Sequence, residues 1–196
     1  MSHNGTIRIL SFNVAKNFLL VDTLLSRFEN DYDLIFLQEP AWQVVRMAPS
    51  TSNREGDDVV GAPRHPAWTM MVRPPLPDQP PCVMAFVSTR LAPLRPALRR
   101  DVFDHRDVLM VSLFPEGRSF NFLNVYNDDQ NTAVRYLAER NAPVPITYMG
   151  GDFNLHSSMW DPQVPHHRSA AILLLETAAM SDLDLVEPIN PHLLFQ

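Results

Sequence analysis

Short apolar runs closed by polar residues recur along this chain, and they set out its elements. Residues 7–14 carry Ile7, Ile9 and Leu10 and place Ser11 and Asn13 on one face, which predicts a strand. Residues 18–28 repeat Phe18, Val21, Leu24, Leu25 and Phe28 at helical spacing, with Asn17 placed as an N-cap. Residues 33–38 form an apolar strand ending at Glu39-Pro40. Strand, helix, strand in this order predicts a parallel or mixed sheet. Residues 48–66 are polar, contain Gly56, Gly61, Pro63 and Pro66, and read as a long surface loop. Strands are expected over 68–72 and 82–88, separated by the proline-rich stretch 73–81. Two more are expected over 108–114 and 120–125, turning at Pro115-Glu116-Gly117. The second of these runs into Tyr126-Asn127-Asp128. A helix over 132–140 follows, and then an apolar run that enters Gly150-Gly151-Asp152. Residues 166–180 predict a helix with Ala171, Leu174, Leu175 and Ala178 on one face, and 183–186 a last short strand.

Four strand ends carry polar groups: Asn13, Glu39, Tyr126 with Asn127, and Asp152 with Asn154. In an extended chain Asp152 and Asn154 point the same way. Charges and amides at the ends of buried strands are costly unless something uses them. Strands lying side by side would bring these ends to one rim, where sites of layered α/β domains commonly sit. The residues are hard oxygen donors without a Cys–His cluster, which disfavours zinc and suits Mg²⁺ or Mn²⁺. Such a metal stabilises charge on a phosphodiester and favours attack by water.

Each residue taken singly also has a plainer reading. Asn13 could lie in an ordinary core strand, and Glu39 could be a loop acid. Tyr126 could be a half-buried core residue, and Asp152 with Asn154 could form an Asx turn. The arginines Arg90, Arg95, Arg99 and Arg100 read either as phosphate contacts or as a solvated connection. His166-His167 reads as surface, Trp160 as packing under the loop after the Gly-Gly-Asp strand, and Cys82 as inert core.

Composition narrows the class. A chain of 196 residues, 45% hydrophobic, is expected to form a single domain over 7–196 behind a polar tail, 1–6. A net charge of −6 excludes a whole-surface basic footprint for nucleic acid. One cysteine excludes an internal disulfide and points to a reducing compartment. No apolar stretch reaches membrane-spanning length, and the first residues lack the apolar core of a signal peptide. The expectation is an intracellular protein, cytoplasmic or nuclear, neither secreted nor membrane-bound.

The motifs SFNV at 11–14, LQEP at 37–40, NVYN at 124–127 and GGDFN at 150–154 occur in this order. Together they resemble the endonuclease/exonuclease/phosphatase superfamily. With GDFNLHSSMWDP over 151–162, the chain is similar to the apurinic-endonuclease-like domains of non-LTR retrotransposons. The resemblance implies a four-layer α/β sandwich, two packed mixed sheets flanked by helices. It also implies Mg²⁺-dependent phosphodiester hydrolysis on DNA, with a reverse-transcriptase region as an associated partner. Under it, Glu39 and Asn13 are the metal residues, Tyr126 contacts the phosphate, and Asp152 with Asn154 manages the attacking water or leaving group. Asn127 and His156 are candidate substrate contacts. The family pattern continues with a later acid and a closing Ser-Asp-His, which this sequence does not supply. The corresponding expectation is a domain incomplete at its C-terminus, lacking its final strands, and weak or inactive as an enzyme. Two alternatives stand beside the endonuclease reading: a catalytically inactive remnant or binding module, and a phosphatase or phosphodiesterase of the same superfamily.

Overall fold

The structure, a computed structural model, describes residues 6–76, 79–140, 142–160, 163 and 169–186. In chain order the elements are β1 (Ile9–Asn13), α1 (Phe18–Arg27), β2 (Leu34–Gln38), β3 (Gln43–Ala48), β4 (Asp57–Gly61), β5 (Trp68–Met71), β6 (Val83–Ser88), β7 (Ala97–Leu98), β8 (Val108–Leu113), β9 (Phe120–Tyr126), α2 (Thr132–Ala138), β10 (Tyr148–Asp152) and α3 (Ser169–Met180). A 3-10 turn over Thr89–Leu94 joins β6 to β7.

Two mixed four-stranded sheets form the centre. One runs β1-β2-β6-β5 and the other β10-β9-β8-β7. The pairs β1/β2 and β9/β10 are parallel, and the rest of both sheets is antiparallel. Strand alternation explains the layers. From β2, Leu34 and Phe36 face inward and meet Leu109, Val111 and Phe122 of the other sheet. Ile35 and Leu37 face outward, against Val21, Leu24 and Leu25 of α1. On the far side, Met110, Leu123 and Val125 meet Ala133 and Leu137 of α2. The result is helix, sheet, sheet, helix, the sandwich expected from the motifs. Asn17 caps α1, its Oδ1 accepting from Leu20 N at 3.0 Å. Trp68 Nε1 donates to Leu25 O at 2.9 Å and ties α1 to the sheet edge.

Two expectations change. Residues 48–66 are not all loop: β3 and β4 pair as an antiparallel hairpin outside both sheets. Its apolar residues Val44, Val45, Met47 and Val60 are exposed, so no core periodicity announces it. Residues 183–186 form no strand. Leu185 and Val186 are exposed, Val186 at 86%, and among the described residues no strand lies beside them to pair with. The arginine-rich connection contains the 3-10 turn and the short edge strand β7. There Arg90 bonds Tyr32 O and Asp33, while Arg99 pairs with Asp101 and Arg100 with Asp104. His166-His167, Asp161-Pro162 and the first five residues of the tail lie outside the described residues. Among the described residues no helix is long and apolar enough to cross a membrane.

Candidate active site

The site lies where the cleft between the sheets opens at one rim. In β1, Ile9, Ser11 and Asn13 share the inward face. In β2 the inward positions are Leu34, Phe36 and Gln38, in β9 Phe122, Asn124 and Tyr126, and in β10 Tyr148, Gly150 and Asp152. Register aligns Asn13 with Gln38 and Asp152 with Tyr126, so each strand ends on an inward polar side chain.

Asn13 joins the two sheets. Its Nδ2 donates to Glu39 Oε1 at 3.0 Å and to Asp152 Oδ2 at 2.7 Å. Its Oδ1 accepts from Ala15 N at 2.9 Å, which settles the orientation of the amide. Asn13, expected among the metal residues, stands between the two acids. Its oxygen is held by the backbone, and its amide group bridges the two acids. Glu39 reaches the bridge from a left-handed backbone, φ 46°, braced by Glu39 N donating to Cys82 O at 2.9 Å and Lys16 N donating to Glu39 O at 2.8 Å. Among the described residues, neither Glu39 nor Asp152 forms an ion pair with a base.

Asp152 and Asn154 do not run on as a strand. The strand stops at Asp152, and Asn154 turns to φ 49°. Asn154 N then donates to Asp152 Oδ1 at 3.2 Å, an Asx turn that leaves Asn154 exposed at the rim. Asn154 Nδ2 donates to Asn127 O at 2.8 Å. The two glycines are explained by close approach. A Cβ on Gly150 would lie 2.1 Å from the Tyr148 hydroxyl, and one on Gly151, at φ +149°, would lie 1.9 Å from Val125 O.

Tyr126 stands beside Glu39. Burial first, and then the Glu39 carboxylate, push its phenol up to about 12, so it remains a neutral hydrogen-bond donor. Asn127 is placed differently from its expected substrate role. It is fully buried, its Nδ2 donates to Asn131 Oδ1 and Phe153 O, and its Oδ1 accepts from Val134 N. Its side chain fastens β9, α2 and the rim loop to one another. His156 is exposed, two residues beyond Asn154. Trp160 Nε1 donates to Leu155 O at 3.0 Å, pinning the loop that carries His156.

Behind the rim lies a polar layer that the motif reading passed over. Gln38 Nε2 donates to Asn124 Oδ1 at 2.6 Å and to Ser11 Oγ at 3.0 Å. Asn124 Nδ2 donates to Leu37 O and Met84 O at 3.1 and 3.0 Å. These bonds lock the two sheets together just under Asn13 and Tyr126. The signal was present in LQEP and NVYN, where a polar residue sits two positions inward of a rim residue or next to one in an otherwise apolar strand.

The donor set suits a hard divalent cation. Glu39 and Asp152 come within hydrogen-bond distance of one shared amide, and among the described residues neither is ion-paired with a base. Among the described residues no three His, Cys, Asp or Glu side chains gather as a closed cage. Two carboxylates with open positions match an ion that keeps water and binds phosphate oxygens, as Mg²⁺ does.

No family model matches this sequence, and no curated protein matches it. Among solved structures the chain is similar to the endonuclease domain of TRAS1, a telomere-specific non-LTR retrotransposon. The likeness has a TM-score of 0.65 at 13% sequence identity, and covers 93% of this chain and 75% of that one. The two packed sheets with flanking helices described above are thus a fold that this chain shares with that domain.

Proposed function

We propose that this chain is a Mg²⁺-dependent phosphodiesterase acting on DNA as an endonuclease. The observation that carries the reading is the Asn13 bridge, which holds two carboxylates from different sheets, neither ion-paired among the described residues, at the mouth of the cleft. Keeping such a pair together without a base costs stability, and a cation with a phosphate substrate turns that cost to use. Glu39 and Asp152 would hold the metal, which when bound offsets negative charge on the phosphate. Asp152 accepts the proton of the attacking water as its oxygen bonds to phosphorus, Asn154, exposed next to it, orients that water, and the bond from phosphorus to the sugar oxygen breaks, that oxygen taking a proton from solvent. Tyr126, kept protonated by its surroundings, donates to a phosphate oxygen. Asn13 positions the two acids. The fold of the TRAS1 endonuclease domain supports DNA as the substrate class.

The test is nicking of supercoiled plasmid with Mg²⁺, comparing the chain with its Glu39→Ala and Asp152→Ala variants. Metal-dependent nicking that both substitutions reduce by two orders of magnitude or more, roughly the scale of acid–base assistance, is the expected result. Folded protein that nicks no faster than either variant would remove the enzyme reading and leave a DNA-binding or inert domain. Hydrolysis of small phosphoesters without nicking would move the substrate class.

A further inference from the structure

A cationic group stands on the same rim and belongs to none of the four motifs. Because β8 runs antiparallel to β9, its first residues lie where β9 ends. Tyr126 N donates to Asp107 O at 2.9 Å, so residues 105–107 lie directly beside Tyr126. Because β6 runs antiparallel to β2, Cys82 likewise lies beside Glu39, its carbonyl accepting from Glu39 N. Arg106 fits between these two places. Its Nε donates to Asp107 Oδ1 at 3.2 Å, and its guanidinium lies against the Cys82 thiol.

The pair is built asymmetrically. Asp107 is 3% exposed, whereas the Arg106 side chain is 43% exposed. The buried carboxylate anchors the cation by one nitrogen and leaves the outer guanidinium at the surface. A second cation is not at hand from His105, whose Nδ1 accepts from Asp107 N at 3.2 Å and so carries no proton there. The 3.8 Å approach of that nitrogen to Asp107 Oδ2 is therefore not an ion pair. Burial also pushes His105 below its ordinary value. Around the site Glu39, Asp128 and Asp152 are all acidic, and a DNA phosphate entering there needs a compensating donor.

We infer that Arg106 is a phosphate-binding residue on the Tyr126 side of the site, held in place by buried Asp107 as its positioning residue. This rests on the proposed phosphodiester substrate. A guanidinium fork tied at Nε still offers its terminal nitrogens to two phosphate oxygens, which a flexible lysine would not do as well. Cys82 is a packing neighbour only, since burial and Asp107 push its thiol up to about 12.

The experiment is binding of a short fluorescein-labelled DNA duplex in EDTA, followed by anisotropy across a salt series. Wild type, Arg106→Gln and the double variant Arg106→Gln/Asp107→Asn are compared, with plasmid nicking run in parallel. The double variant removes the buried acid that the single variant would strand, and thermal melting checks that each is folded. One lost phosphate contact lowers the log–log salt slope by about 1. Wild type then loses about three- to fourfold more affinity than either variant between about 50 mM and about 200 mM salt. That result in both variants supports the inference. A double variant that binds with wild-type affinity and slope, while wild type binds and nicks, overturns it and leaves the enzyme reading standing. Wild type that neither binds the duplex nor nicks plasmid overturns both.

Discussion

Replacing Asn13 with alanine removes the one amide that touches both acids of the site. Its Nδ2 lies 3.0 Å from Glu39 and 2.7 Å from Asp152. Hydrogen bonds to charged groups contribute about 1.5–3 kcal/mol each. Both carboxylates are half-buried and water can replace part of the loss, so the pair is expected to contribute about 2–3 kcal/mol. For a domain of this size that lowers Tm by roughly 4–12 °C. A second quantity decides what a cation can recover. Two carboxylates about 5 Å apart at an effective dielectric of about 20 repel by about 3 kcal/mol. Mg²⁺ should therefore raise Tm in wild type and by more in Asn13→Ala, and should do little once Glu39 is also alanine. Thermal unfolding by circular dichroism, with and without Mg²⁺, reads all three. A Tm within about 2 °C of wild type for Asn13→Ala, equivalent to less than about 1 kcal/mol, would refute the view that this amide holds the acids together.

Gly151→Ala drives a Cβ to 1.9 Å from Val125 O, and backbone cannot yield as a side chain would, so a loss of more than about 3 kcal/mol is expected. A denaturant midpoint near wild type would contradict it. Tyr126 has its folded value raised from 10.0 to about 12, so its stabilising contribution is complete below pH 10 and is lost as pH rises through about 12. Ultraviolet difference titration of wild type against Tyr126→Phe should show that phenol ionising near pH 12; ionisation at its ordinary value would remove the Glu39 contact from the account. Trp160→Phe deletes the bond to Leu155 O and should speed proteolytic cleavage between residues 153 and 160 with a Tm change of only a few degrees, and unchanged cleavage would show the loop is held otherwise.

The sandwich was legible because its strands are apolar on both faces and its first helix repeats cleanly. Leu34 to Leu37 face two different layers, and only a sheet packed on both sides asks for that run. Asn13, Tyr126 and Asp152 were legible because each breaks its strand at the last inward position, and Glu39 because it follows a wholly apolar run one residue past Gln38. What the motifs could not convey was the direction in which an amide points. Asn13 keeps its oxygen on Ala15 and gives its nitrogen to the acids, a choice made by a neighbouring backbone N–H. Asn127 looked like a rim residue beside Tyr126, but alternation turns it to the other face, into α2. Asp107 and Arg106 carry no motif, because their place at the site follows only from β8 pairing with β9. The β3–β4 hairpin was missed for the opposite reason: it pairs with nothing but itself, so its apolar residues have no buried face to report.

The bridge from Asn13 to Asp152 spans 139 positions of sequence. Loops of that length close late, after local structure has formed. On a ribosome moving at about 5–20 residues per second, Asn13 would wait roughly 7–30 s for its partner to be made. Over that interval the first sheet can assemble from β1, β2, β5 and β6 with its inner face uncovered. The two acids are joined only when the second sheet docks. Completion of the site is thus coupled to completion of the fold, and a half-made chain carries Glu39 without the carboxylate it is proposed to work with.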